Sequence, residues 1–223
     1  FGSAAAAARE IDRSLDELWQ LCTQQDAPVM AHAAASNGLR AGFGLRADPS
    51  FWFPVARRHP KLRILLAHFG RFRDQTAEAG PPGTCPDHDV PFEKTWEAAI
   101  GRFVLTNPDS LVFADLSYLS ELFHSGYRRR AVERLRHYLL FDPGGRHLVF
   151  GSDWVMLGIE KGYTRDGGYP ARMRRFLVEA GLGSAEIDGI MYGNAIRFLG
   201  IRTGGAARQR IEKFYTDRGL PVK

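Results

Sequence analysis

The sequence predicts an α/β fold, a parallel sheet of about four strands with helices between them, and three observations predict it. Four brief apolar runs punctuate the chain, at 28–31, 62–66, 111–114 and 147–150. Segments of helical periodicity fill the intervals, and three of the four runs lead straight into a His or Asp. Parallel strands are covered on both faces, so they read as short continuous apolar segments, and strands alternating with helices produce such a sheet.

The elements follow in order. Residues 10–25 repeat apolar positions at Ile11, Leu15, Leu18 and Leu21, which predicts a helix leading into the first strand, Pro28-Val29-Met30-Ala31. A helix over 50–58 precedes the second strand, and one over 93–105 precedes the third. Residues 120–140 carry Leu122, Val132, Leu135 and Leu139 and lead into the fourth. Two further helices are expected at 172–180 and 184–199, with Ser184 as an N-cap lacking a capping box. Strand starts lie roughly 34 to 49 residues apart. At that spacing 223 residues hold four units, whereas a closed eight-stranded barrel takes about 250 residues. The architecture is therefore half a barrel or a four-stranded open sheet.

No low-complexity linker divides the chain, so residues 1–223 are expected to form a single domain. Residues 71–92, with Gly80-Pro81-Pro82-Gly83, read as a loop insertion over one end of the sheet. Residues 204–223 read as a polar, basic tail with a short helix at 207–216.

Composition narrows the class. With 44% hydrophobic residues the chain can bury a core, which argues against disorder. The net charge of +5 is spread, and its densest runs, Arg128-Arg129-Arg130 and Arg172-Met173-Arg174-Arg175, fall on helical segments as solvated faces do. Neither nucleic acid nor a membrane is expected as a partner. No apolar run reaches the roughly 20 residues of a membrane span. The opening residues lack the features of a signal peptide. Two cysteines, Cys22 and Cys85, are too few for a disulfide framework, and a reducing cytoplasm is the expected compartment. Cys22 reads as a small core residue.

The strand ends carry the chemistry. Met30-Ala31-His32 closes the first strand, Leu66-Ala67-His68-Phe69-Gly70 the second, and Phe150-Gly151-Ser152-Asp153-Trp154 the fourth. The third ends in Ala114-Asp115-Leu116-Ser117-Tyr118. Ligands bind at the C-terminal strand ends of parallel α/β folds. His and Asp side chains converging there can hold a divalent metal or carry protons. Each also has a plainer reading: a hydrogen-bonded structural histidine, an aspartate capping the next helix at Asp153, a structural Asp115. The recurrence at three strand ends favours a site. Trp154 and Tyr118 either line a pocket or pack. Arg71 and Arg73 either meet an acidic substrate or are solvated. Cys85, Asp87, His88 and Asp89 lack a recognised ligand spacing.

These motifs resemble the amidohydrolase-related family. Pro28-Val29-Met30-Ala31-His32, then His59-Pro60-Lys61-Leu62-Arg63-Ile64-Leu65-Leu66-Ala67-His68-Phe69-Gly70, then Gly151-Ser152-Asp153-Trp154 look like its strands five, six and eight. Tyr192-Gly193-Asn194-Ala195-Ile196-Arg197-Phe198-Leu199-Gly200 resembles its closing helix, with Asn194 in a structural role. The resemblance implies the C-terminal half of a (β/α)8 TIM barrel. It implies His32 and Asp153 as ligands of a divalent metal, zinc by donor type, with His68 polarising the substrate or binding a second metal. Asp153 would also accept a proton from the attacking water, whose pKa a bound metal lowers from 15.7 to about 7. The implied activity is metal-dependent hydrolysis of a C–N or C–O bond of a small molecule. Non-oxidative decarboxylation, or an inactive binding module, are the rivals. A homo-oligomer such as a dimer is expected, since half a barrel exposes two sheet edges. The family's first strand carries a His-x-His pair, and none exists in this sequence. Strands one to four are thus expected to precede Phe1, or the chain is a degenerate relative.

Overall fold

The computed structural model describes residues 3–34, 44–72, 91–123, 125–158, 163–164, 167–202 and 204–221. The expected insertion at 71–92, with Cys85, Asp87, His88 and Asp89, therefore lies almost wholly outside the described residues, as does Arg73.

Four parallel strands form one sheet: β1 (Val29–His32), β2 (Ile64–Ala67), β3 (Val112–Asp115) and β4 (Leu148–Val149). Their order is β1-β2-β3-β4. Val29 lies opposite Ile64, Ile64 opposite Val112, and Ala114 opposite Leu148. This order decides between the two architectures the sequence left open. Crossovers between parallel strands are right-handed, so a sheet that always advances in one direction places its connecting helices on one face. A doubly wound sheet reverses direction and covers both faces. Here there is no reversal, as in a barrel segment.

The packing agrees. Ile64, Leu66, Val112, Ala114 and Leu148 join one large core cluster with residues of α3 (Trp96–Thr106), α4 (Ser125–Leu139) and α6 (Gly168–Glu179). The alternate residues Leu65, Phe113 and Val149 face the other way and form a small cluster with Phe198 of α8 (Asn194–Leu199). Side chains alternate along a strand with period two. His32 and Asp115 therefore share the inner face with Met30 and Phe113. Each buried Leu, Ile or Phe contributes about 1.5–3 kcal/mol by leaving water, so the helix-covered face dominates stability. β2 and β3 are buried throughout, whereas edge strand β1 leaves Met30 64% exposed.

The helices differ from expectation in three places. Helix α1 (Ala4–Gln24) starts well before residue 10, with Ser3 Oγ accepting from Ala6 N–H at 3.3 Å. Its stripe Ile11, Leu15, Leu18 and Leu21 is exposed. The helix docks instead through Trp19, whose ring lies 5.2 Å from that of Trp52, and through half-buried Cys22 at the edge of the core. Ser184 is not an N-cap. Gly183 holds that position, and the Glu186 carboxylate accepts from its N–H at 2.7 Å. The helix expected over 184–199 is three pieces: α7 (Ser184–Asp188), a π-helical turn (Gly189–Gly193) and α8. The wider turn directs the Ile190 carbonyl to the Phe150 N–H, 2.8 Å away, so the backbone just past β4 is satisfied.

The remaining elements lie close to expectation. Helix α2 (Trp52–Arg58) follows a 3-10 turn (Pro49–Phe51) capped by Asp48, and α9 (Ala206–Thr216) forms the tail helix. The arginine runs are solvated or paired: Arg128 grips Glu179 with two bonds of 2.9 and 2.7 Å, and Arg174 reaches Asp188 at 3.0 Å. No helix among the described residues is long and apolar enough to cross a membrane.

Candidate active site

The C-terminal ends of the strands gather both the chemistry and the backbone strain. Among the described non-glycine residues, positive φ occurs at Asp26, His68, Phe69, Tyr118 and Asp153, and the last four all follow strand ends. A left-handed backbone costs an ordinary residue about 1–2 kcal/mol, and such residues concentrate at active sites where the surroundings hold them.

After β2, His68, Phe69 and Gly70 take φ of 69°, 48° and 69° in succession. Three contacts hold this turn. The His68 N–H donates to Asp115 Oδ1 at 2.9 Å. The buried Phe69 ring meets Tyr138 edge-on at 4.7 Å between centroids. Gly70 lies against α3 so closely that a Cβ there would sit 2.6 Å from Trp96 Cβ. Only glycine fits.

The turn brings His68 to His32. Their rings lie 4.9 Å apart between centroids, inclined at 69°, at the ends of adjacent strands. His32 is exposed and His68 half-buried. On its other side, His68 Nδ1 lies 2.9 Å from Ser117 Oγ. Asp115, 5% exposed, accepts from the Ser117 N–H at 3.0 Å with the same oxygen that takes the His68 N–H.

Asp153 stands past β4, at the far side of the sheet from His32. Its backbone is left-handed, at φ 48°, and it occupies the N-cap of α5 (Trp154–Leu157). Its carboxylate makes no capping bond to that helix, so capping does not account for it. Asp153 follows β4 and His32 ends β1, at opposite edges of the four-stranded sheet. Trp154, beside it, is 76% exposed, whereas Tyr118 is buried in the large core cluster. Arg71 falls in the short 3-10 helix that His68 opens, and its side chain is outside the described atoms.

One residue the sequence did not single out joins these ends. The buried Tyr169 hydroxyl donates to Leu116 O at 2.6 Å and accepts from Leu119 N–H at 3.0 Å, spanning the loop after β3. Burial pushes its pKa far up; the Leu119 bond opposes this, and the charges of Glu121, Asp115 and Asp153 add to it. It is a neutral strut. Nothing in the local sequence marks it, because it comes from α6, some 50 residues away. Asp115 and Ser117 were visible in the sequence only as an Asp-x-Ser after a strand.

Could these residues hold a metal? Neutral imidazoles suit zinc, and a catalytic zinc takes three protein ligands. Among the described residues no group of three His, Cys, Asp or Glu side chains is placed to hold a metal ion. Two imidazoles, His32 and His68, are by themselves fewer than the three ligands such a site takes.

Comparisons with known proteins follow the same lines. A family model described as "Amidohydrolase" matches residues 3–201. The crystal structure of a zinc-bound amidohydrolase from Burkholderia multivorans superposes with a TM-score of 0.53 at 19% identity. The match covers 82% of this chain and 55% of that one, and at this identity the likeness is one of fold. This chain thus spans about half the length of that structure, as a partial barrel does. No curated protein matches the chain.

Proposed function

The chain belongs to the amidohydrolase family, and from that premise we propose that it forms the second half of a metal-dependent hydrolase acting on a C–N or C–O bond of a small molecule. The observation that carries the reading is the pair of imidazoles, His32 and His68, 4.9 Å apart at neighbouring strand ends on the face where such folds bind ligands. In this proposal His32 and His68 would help to hold a divalent ion, zinc by donor chemistry, which when bound would supply a water of lowered pKa. His68, with Nδ1 turned to Ser117, offers Nε2 to the ion or to a substrate oxygen. Asp153, whose carboxylate is not spent on its helix, takes the proton from the attacking water and returns it to the leaving group. The exposed Trp154 ring would cover an apolar part of the substrate, and Arg71 would meet an anionic one.

The test is product analysis on the protein as its gene encodes it. It is loaded with zinc, cobalt or manganese and offered small amides, lactones and esters of carboxylic acids. Release of amine, alcohol or acid, abolished by a chelator and restored by metal, is the expected outcome. Carbon dioxide from a carboxylate substrate would replace hydrolysis with decarboxylation. Absence of turnover and of retained metal under all three loadings would remove the enzyme reading.

A further inference from the structure

We propose that Asp115 and Ser117 are positioning residues for His68, one side-chain oxygen holding its backbone and the other its ring. The inference rests on the functional reading of His68 given above. His68 opens a run of three left-handed residues, so local preference does not hold it in place. The holding bonds come from the next strand. Asp115 Oδ1 accepts from the His68 N–H at 2.9 Å and from the Ser117 N–H at 3.0 Å, tying the turn after β2 to the loop after β3. Ser117 Oγ then engages His68 Nδ1 at 2.9 Å. Backbone and imidazole are fixed from one loop, and Nε2 is the ring nitrogen left to act.

A third strand end makes room for this arrangement. A Cβ on Gly151, just past β4, would lie 2.9 Å from Ser117 Cβ and 3.1 Å from Asp115 Cγ. Real Cβ atoms essentially never come as close as the first of these distances, and the second is tight, so glycine at 151 leaves Ser117 and Asp115 the room they use to reach His68. Burying a carboxylate costs free energy unless hydrogen bonds compensate it, and two backbone donors converge on this one. Histidines that act as ligands or electrophiles are commonly fixed through their second ring nitrogen, and losing that partner typically costs 10–100-fold in affinity or activity. Ser117 stands in that relation to His68.

The test uses three variants of the full chain: Ser117→Ala, Asp115→Ala and Asp115→Asn. Ser117→Ala should lower kcat about 10–100-fold with KM within about twofold, the pattern of a lost transition-state contact. It should also change the ¹⁵N chemical shifts of the His68 ring nitrogens, which report the tautomer. Asp115→Asn keeps an acceptor for both N–H groups and should retain most of the wild-type kcat, while Asp115→Ala should not. Should Asp115→Ala fail to fold, Ser117→Ala, a one-oxygen change, still decides. The nitrogen spectrum needs no substrate, which separates this inference from the functional reading. If the wild type hydrolyses nothing yet Ser117→Ala alters the His68 signals, the hydrolase reading fails and the positioning stands. Unaltered signals, or wild-type kcat in Ser117→Ala, overturn the positioning.

Discussion

Glu97 and Arg134 face each other inside the protein, with carboxylate and guanidinium 3.6 Å apart and Glu97 wholly removed from solvent. The pair joins the first turn of α3 to the middle of α4, directly behind the turn that carries His68. Burial pushes the Glu97 pKa from 4.5 up to about 7. Arg134, a backbone bond and the Thr95 hydroxyl pull it down, and Glu121 pushes it up a little.

The sign of the linkage is fixed by that direction. Because the folded-state pKa is raised, the native state holds this proton more tightly than the unfolded chain. The stability this gives is fully present below about pH 4.5 and is lost as pH rises through about 7. The window amounts to about 3 kcal/mol at most, from 1.36 kcal/mol per pKa unit. Glu97→Gln should flatten this part of the profile. Melting temperatures of both proteins at pH 5, 6, 7 and 8 check it: their difference should move in favour of the variant as pH rises. A constant difference would assign the slope to another group.

Asp153→Asn should cut turnover by at least about 100-fold, the lower end of what a proton-transferring group contributes, while leaving the fold intact. Asparagine tolerates a left-handed backbone, and no helix-capping bond is lost because Asp153 makes none to α5. Steady-state kinetics beside a thermal melt would show it. Near-wild-type turnover would remove the role assigned to Asp153.

Gly70→Ala should destabilise by about 1–3 kcal/mol or more, from an unfavourable φ and from crowding of the Trp96 Cβ, which would lie 2.6 Å away. The displaced turn carries His68, so activity should fall further than stability alone explains. Urea titration and kinetics on the same preparation separate the two losses.

Asn194→Ala should cost about 2–6 kcal/mol, since two buried carbonyls lose their donor at about 1–3 kcal/mol each. Asn194 is 6% exposed, and its amide donates to Gly145 O at 2.9 Å and Leu148 O at 2.7 Å. Asn194→Asp should do worse, because it sets a carboxylate against the same two oxygens. The midpoint of urea unfolding measures both.

Much of this was legible in the sequence for a local reason. An apolar run such as Leu65-Leu66 or Val112-Phe113 has few other places to go, and strand-ending His32, His68 and Asp153 broke the apolar pattern in plain view. Asn194 was read as a structural tie, and its two carbonyl partners agree. The helix pieces after residue 184 were not legible. Their side-chain periodicity is nearly continuous, and the π-helical turn answers a demand from elsewhere, the Phe150 N–H. The stripe on α1 misled for a related reason: periodicity shows that a helix has an apolar face, not which neighbour covers it.

The sequence by itself determined the α/β class, the four strands, and the two histidines and one aspartate at their ends, because strand burial and side-chain alternation are properties of short segments. Tertiary structure alone decided the rest. The strand order selected a barrel segment over a doubly wound sheet. The left-handed turns at His68, Tyr118 and Asp153 are conformations no local preference would choose. The turn at His68 persists because atoms 47 and 49 residues apart, Asp115 Oδ1 with the His68 N–H and Ser117 Oγ with its ring, meet across neighbouring strands. Such contacts depend on how the sheet closes, and no window along the chain contains them.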